Sequence, residues 1–87
     1  MLITKELYES PMKERNEERF HIDHTSCICC NKPTKEEFYV HMTTDWVAVE
    51  SHIQEEDLKK YNKQSQGLFP IGSSCAKKMG KNFIIHA

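Results

Sequence analysis

Eighty-seven residues with 38% hydrophobic, 29% charged and only eight aromatic side chains describe one small domain, which buries roughly 60–65% of its unfolded surface. A (β/α)₈ barrel and a dinucleotide fold do not fit this length, and no run of about 18 apolar residues exists to form a transmembrane helix. The formal net charge of −1 predicts neither tight non-specific phosphate binding nor a role at a membrane surface.

The opening residues MLITKELYESP carry neither a basic n-region nor an apolar h-region, so the expectation is a cytoplasmic protein with no secretory signal. Residues 1–24 hold four basic and six acidic side chains and read as an N-terminal helical arm. Thr4 can cap a short helix, Ser10-Pro11 interrupts it, and a charge-dense helical pattern resumes over Met12–Phe20. The arm has few apolar anchors, so it reads as a unit set apart from a domain spanning residues 25–87.

From Cys27 the texture changes. The segment CICCNKP over residues 27–33 is a tight turn, and the β-rich runs Glu37–Met42 and Trp46–Glu50, joined by Thr43-Thr44-Asp45, predict a hairpin. Alternation puts Phe38, Val40 and Met42 on one face and Tyr39 and His41 on the other. Ser51 with Gln54 forms a capping-box pattern that predicts a helix over 52–64, with acidic residues first and lysines last. Gly67–Gly72 reads as an extended stretch, and Ser73 or Ser74 caps a short final helix, Cys75–Met79, stopped by Gly80.

Four Cys and five His are many for such a chain, and a small marginal core needs a staple. Thiols in the cytoplasm stay reduced, so metal ligation or burial explains the cysteines better than disulfides do. Cys27-x-x-Cys30 places two thiolates around one turn whose amides can donate to sulfur, the geometry of a zinc knuckle. Cys75 falls at a helix N-terminus, where free N–H groups favour a thiolate. Knuckle, hairpin and short C-terminal helix in that order predict a small α+β zinc-binding domain of treble-clef type. The metal is structural Zn²⁺, because thiolates plus one imidazole suit a closed tetrahedral site. The position one turn after Cys75 is Lys78, which cannot ligate while protonated. His41 is the favoured fourth ligand, with His24, Cys29 and His52 as alternatives; a buried apolar role also suits Cys29, and an ordinary strand position suits His41.

The motif SQGLFPIGSSCAKK over residues 65–78, with CICC over 27–30 and YVHMTTD over 39–45, resembles a group of small zinc-binding proteins encoded by bacteriophages and their hosts. The resemblance covers roughly residues 25–82. It implies a treble-clef-like fold with Cys27, Cys30 and Cys75 as ligands, and it carries no activity with it. Two positions depart from the pattern: Asn31 stands where the knuckle usually has Gly, and Trp46 where a turn Gly is usual.

These features favour a non-enzymatic zinc-binding interaction module, in a phage setting one that modulates a host or defence protein. The rival expectation is nucleic-acid binding through the basic C-terminal third. Residues 51–87 hold six lysines and three acids, and Trp46, Tyr61 or Phe69 offer stacking surfaces. A solvated charged face accounts for the same lysines. A metal-dependent nuclease would start from Asp23-His24, but no downstream residues complete that set.

Overall fold

The computed structural model of the chain describes residues 2–19, 26–35 and 37–86. Its elements in order are β1 (Thr4–Glu6), α1 (Lys13–Arg19), β2 (Phe38–Thr43), β3 (Val47–Val49), α2 (Glu55–Lys59), β4 (Ser65–Pro70), α3 (Ser73–Met79), a 3₁₀ turn (Lys81–Phe83) and β5 (Ile84–His86). The strands form one antiparallel sheet in the order β1-β3-β2-β4, with β5 also paired to β2. No helix among the described residues is long and apolar enough to cross a membrane.

The aromatic and β-branched run FYVHMT makes β2 a strand, and its position makes it the centre of the sheet. One edge pairs with β4 over Tyr39–Thr43; the other is shared by β5, opposite Phe38–Val40, and β3, opposite His41 and Met42. Because β2 is covered on both faces, Val40, His41, Met42 and Thr43 are all buried. The alternation still sorts them. Val40 and Met42 join the main apolar cluster with the cysteines, Ile71, Met79 and Ile84, whereas His41 lies outside it. Met42 faces Ala48 on one neighbour and Gly67 on the other, a large side chain between two small ones.

The expected hairpin forms, and its turn closes with the Trp46 amide on the Thr43 carbonyl at 3.0 Å. Trp46 takes φ 62°, a left-handed conformation that costs a non-glycine residue about 1–2 kcal/mol. Its ring lies 6.3 Å from that of Phe69, so strand packing offsets part of the strain.

Three expectations change. The helix predicted over 52–64 shrinks to Glu55–Lys59, because the capping box sits three residues later than Ser51. The Gln54 amide donates to Asp57 Oδ2 at 3.0 Å, and Asn62 at φ 59° ends the helix as a left-handed cap. The Asn62 amide returns to the Lys59 carbonyl and the Lys63 amide to the Leu58 carbonyl, the pair of bonds that defines a Schellman stop. The final helix begins at Ser73 with Gly72 as its N-cap, so neither serine caps it.

The largest difference concerns the N-terminal segment. Thr4–Glu6 is an edge strand rather than a helix, in register with Val49, Ala48 and Val47 of β3, because the free edge of β3 supplies backbone partners that an isolated short helix lacks. Lys5 then reaches the end of α3, where its Nζ donates to the Met79 carbonyl at 2.7 Å and the Lys78 carbonyl at 3.3 Å, a cation at a helix C-terminus. The helix expected from Met12 is present as α1, and Asn16 is its buried residue. Residues 2–19 are thus tied into the sheet and onto the Cys27–Asn31 turn.

Candidate metal centre

The turn at Cys27–Asn31 is built by backbone bonds. The Asn31 amide donates to the Cys27 carbonyl and the Cys27 amide to the Lys32 carbonyl, both at 2.8 Å, and Asn31 at φ 61° takes the left-handed position expected of glycine. Outside bonds hold the turn from both sides. The Ile28 amide donates to the Pro70 carbonyl at 3.0 Å, anchoring the turn on β4. From the N-terminal segment, Asn16 Nδ2 donates to the Cys30 carbonyl at 2.8 Å, Asn31 Nδ2 to the Lys13 carbonyl at 3.2 Å, and the Ser10 amide to the Cys29 carbonyl at 3.1 Å. Three of these bonds satisfy backbone groups that a tight turn would leave open, at Ile28, Cys29 and Cys30, and the fourth ties the Asn31 side chain to α1.

Against this turn β4 and α3 deliver Cys75. The sulfur atoms of Cys27, Cys29 and Cys75 lie within 4.8 Å of one another, and all three residues are buried. Such a group can hold a metal ion: tetrahedral zinc at about 2.3 Å from each sulfur sets the sulfurs roughly 3.8 Å apart, a short contraction from that limit. The described cysteines are free thiols. Cys30 is half-buried and lies outside that group.

Protons are divided unequally among these thiols. Cys27 is pulled from 9.0 down to about 4, first by the Cys29 thiol donating to it, then, against the cost of burial, by the amides of Gly72, Cys29 and Cys30. The Cys29 amide stands 3.3 Å from Cys27 Sγ. Cys29 is pushed up because it gives that hydrogen bond and is buried; Cys30 and Cys75 are pushed up first by burial and then by the neighbouring sulfur charge. The expectation that the helix terminus would favour a Cys75 thiolate is therefore corrected, since burial next to an existing anion outweighs the helix amides.

This division sets the response to acid. A group whose pKa is depressed by folding stabilises the fold above its unfolded value and loses that contribution as pH falls toward its folded value, a window running from 9.0 to about 4 for Cys27. Protons also compete with a metal for every thiolate. Acidification is expected to release bound metal and loosen the fold together, with release complete by about pH 4, read as free zinc by a chromogenic chelator alongside circular dichroism. Metal retained well below that pH would contradict the assignment.

The structure places His41, the favoured fourth ligand, elsewhere. Its Nε2 is 2.7 Å from Ser65 Oγ and its Nδ1 is 3.3 Å from the Ile53 carbonyl oxygen, so both ring nitrogens are engaged away from the cysteines. The reason is strand alternation: Val40 and Met42 point to the cysteine side of β2, and His41 points away. His41→Phe is accordingly expected to lower stability by about 1–3 kcal/mol through the lost buried hydrogen bonds while leaving the metal-to-protein ratio unchanged, by denaturant melts and metal analysis. His52 is exposed on the loop before α2, Lys78 is exposed on α3, and His24 lies outside the described residues, as does Asp23. Cys29 is the member of the group that a reading of Cys27-x-x-Cys30 alone passes over; the Cys27-x-Cys29 spacing was the available signal.

The described residues thus define a small α+β protein with an antiparallel sheet and a buried cysteine group able to hold a metal ion. Compared with protein-family models, with curated proteins and with solved structures, the chain matches none.

Proposed function

We propose that this chain is a non-enzymatic, zinc-stabilised interaction module of treble-clef type. The observation that carries the reading is the convergence of Cys27 and Cys29 with Cys75 from the far end of the chain, three buried sulfurs within 4.8 Å. A zinc ion there would supply a cross-link between the turn and α3, and the protein's own residues do the remaining work of shaping a surface.

That surface supports a protein partner. Trp46 is 57% exposed although its ring also packs on Phe69, and an exposed aromatic beside further apolar side chains suits docking. Trp46 borders a shallow groove with Leu7, Ile28 and Val47, flanked by three acidic side chains, Glu6, Glu9 and Asp45, and one basic one, Lys13. An apolar floor beside acidic side chains suits a protein segment that brings an apolar anchor and a basic residue; in a bacteriophage setting the partner is a host or defence protein. For the nucleic-acid reading, the lysines are partly committed: Lys63 Nζ is 2.7 Å from Asp45 Oδ2.

The test has two arms. Removing metal with a strong chelator is expected to abolish the folded circular-dichroism signal, and adding Zn²⁺ back to restore it; a fold indifferent to both would overturn the zinc reading. Tagged protein carrying Trp46→Ala is expected to lose, from lysate of its native cell, a partner that the parent chain retains. Equal recovery by both, or a salt-dependent shift of mixed DNA and RNA by the parent, would overturn the interaction reading.

A further inference from the structure

Three buried sulfurs within 4.8 Å of one another are as well placed to bond to each other as to hold an ion. We propose that Cys27 and Cys75 are a redox pair, which a hydroperoxide converts to a disulfide that takes over the cross-link between the turn and α3. The inference rests on the zinc reading above and concerns its regulation, since oxidation removes two ligands and frees the ion.

Placement selects this pair. A cleft runs past Phe38, Gly72 and Ser73, and of the three grouped cysteines Cys75 alone lines it, so a small oxidant meets Cys75 first. Cys27 stands behind it. A β-carbon on Gly72, the N-cap of α3, would lie 3.8 Å from both Cβ and Sγ of Cys27, so Cys27 packs against the end of α3 that carries Cys75. From the 4.8 Å limit the sulfurs have less than about 3 Å to close to form a bond of about 2.05 Å. A bridge from Cys27 to Cys29 is the poorer choice, because the turn that separates them is pinned by the Asn31 amide on the Cys27 carbonyl and by the Cys29 amide on Cys27 Sγ. It would also span one residue, whereas 47 residues lie between Cys27 and Cys75, the long-loop case in which a disulfide stabilises most. Cys30 lines the cleft as well, but it lies outside the sulfur group, so its oxidation makes no bridge there.

The chemistry transfers two electrons from sulfur to peroxide. The Cys75 sulfur attacks a peroxide oxygen, the S–O bond forms as the O–O bond breaks, and the leaving oxygen takes up a proton as water or alcohol. The Cys27 sulfur then attacks the Cys75 sulfur, the S–S bond forms as the S–O bond breaks, and the departing hydroxide takes up a proton as water. Both protons come from the thiols in the metal-free chain and from solvent in the zinc-loaded one.

Hydrogen peroxide added to the full-length, zinc-loaded chain in reductant-free buffer tests the pair. The expected result is about one zinc released per chain, the content of a single structural site, with an intact mass lower by two hydrogens. Alkylation of the remaining thiols and tandem mass spectrometry should place the bridge between Cys27 and Cys75, with Cys29 and Cys30 alkylated. The bridged chain should keep the folded circular-dichroism signal that chelation removes from the reduced one, and dithiothreitol with Zn²⁺ should restore the starting state. A bridge from Cys75 to Cys29 or Cys30, a bridge within the turn, or a sulfinic acid on Cys75 without a bridge would overturn the pair. A bridged chain that unfolds would overturn the exchange of one cross-link for another. Zinc retained in full with every thiol still reduced would overturn the pair and leave the zinc reading standing. A chain that holds no zinc at the outset yet bridges Cys27 to Cys75 would overturn the zinc reading and leave the pair standing.

Discussion

Cys75→Ser is expected to leave the chain without cooperative structure at 25 °C. Structural zinc contributes roughly 10–16 kcal/mol of apparent binding free energy at neutral pH, against a whole-domain stability of about 5–15 kcal/mol, so the loss of a ligand removes a term as large as the net stability. Cys75 is also the sole contribution of the C-terminal part of the chain to the cysteine group, whose other members fall within Cys27–Cys30. Forty-four residues separate Cys30 from Cys75, and without the tie the closure of that long loop must be met by the sheet alone. Serine is nearly isosteric, so packing is kept and only ligation is tested. Far-UV circular dichroism and amide dispersion by NMR read the result. A cooperative thermal transition within a few degrees of the parent's would show that the cysteines are ordinary core residues.

Met42→Ala is expected to cost about 2–5 kcal/mol, the range for emptying a buried large apolar site. Met42 is fully buried in the central strand, between Ala48 and Gly67. Neither neighbour carries enough side chain to fill the space its loss leaves, which places the cost toward the upper part of that range. The variant should keep its metal and lose denaturant resistance, with an unchanged m-value in urea. A shift smaller than about 1 kcal/mol would mean that the site collapses around the cavity.

Parts of this arrangement were legible because they depend on local chemistry. The hairpin was readable from FYVHMT and VAV with a polar turn between them, and α3 from its position before Gly80, whose φ of 95° ends the helix. The strand Thr4–Glu6 was not, because its three side chains are all exposed and carry no period; it exists through the edge of β3, a partner more than 40 residues away. The early end of α2 turns on Asn62 in a left-handed conformation, which the lysine-rich run after Leu58 conceals.

The cysteine group was legible in kind and not in membership. Spacing marks Cys27, Cys30 and Cys75 as candidates, yet it does not say which of the adjacent pair Cys29 and Cys30 turns its sulfur inward; the bonds from Ser10 and Asn16 shape that turn. His41 illustrates the reverse. Alternation placed it correctly on the face opposite Val40 and Met42, and that same alternation removes it from the cysteine side of the sheet.

The central claim is that a metal ion holds this chain together, and metal analysis of protein purified without added zinc, in reducing buffer, tests it most directly. About one zinc per chain is expected, matching a single tetrahedral site, lost in step with the folded signal on chelation. Folded protein with a metal-to-protein ratio near zero would contradict it.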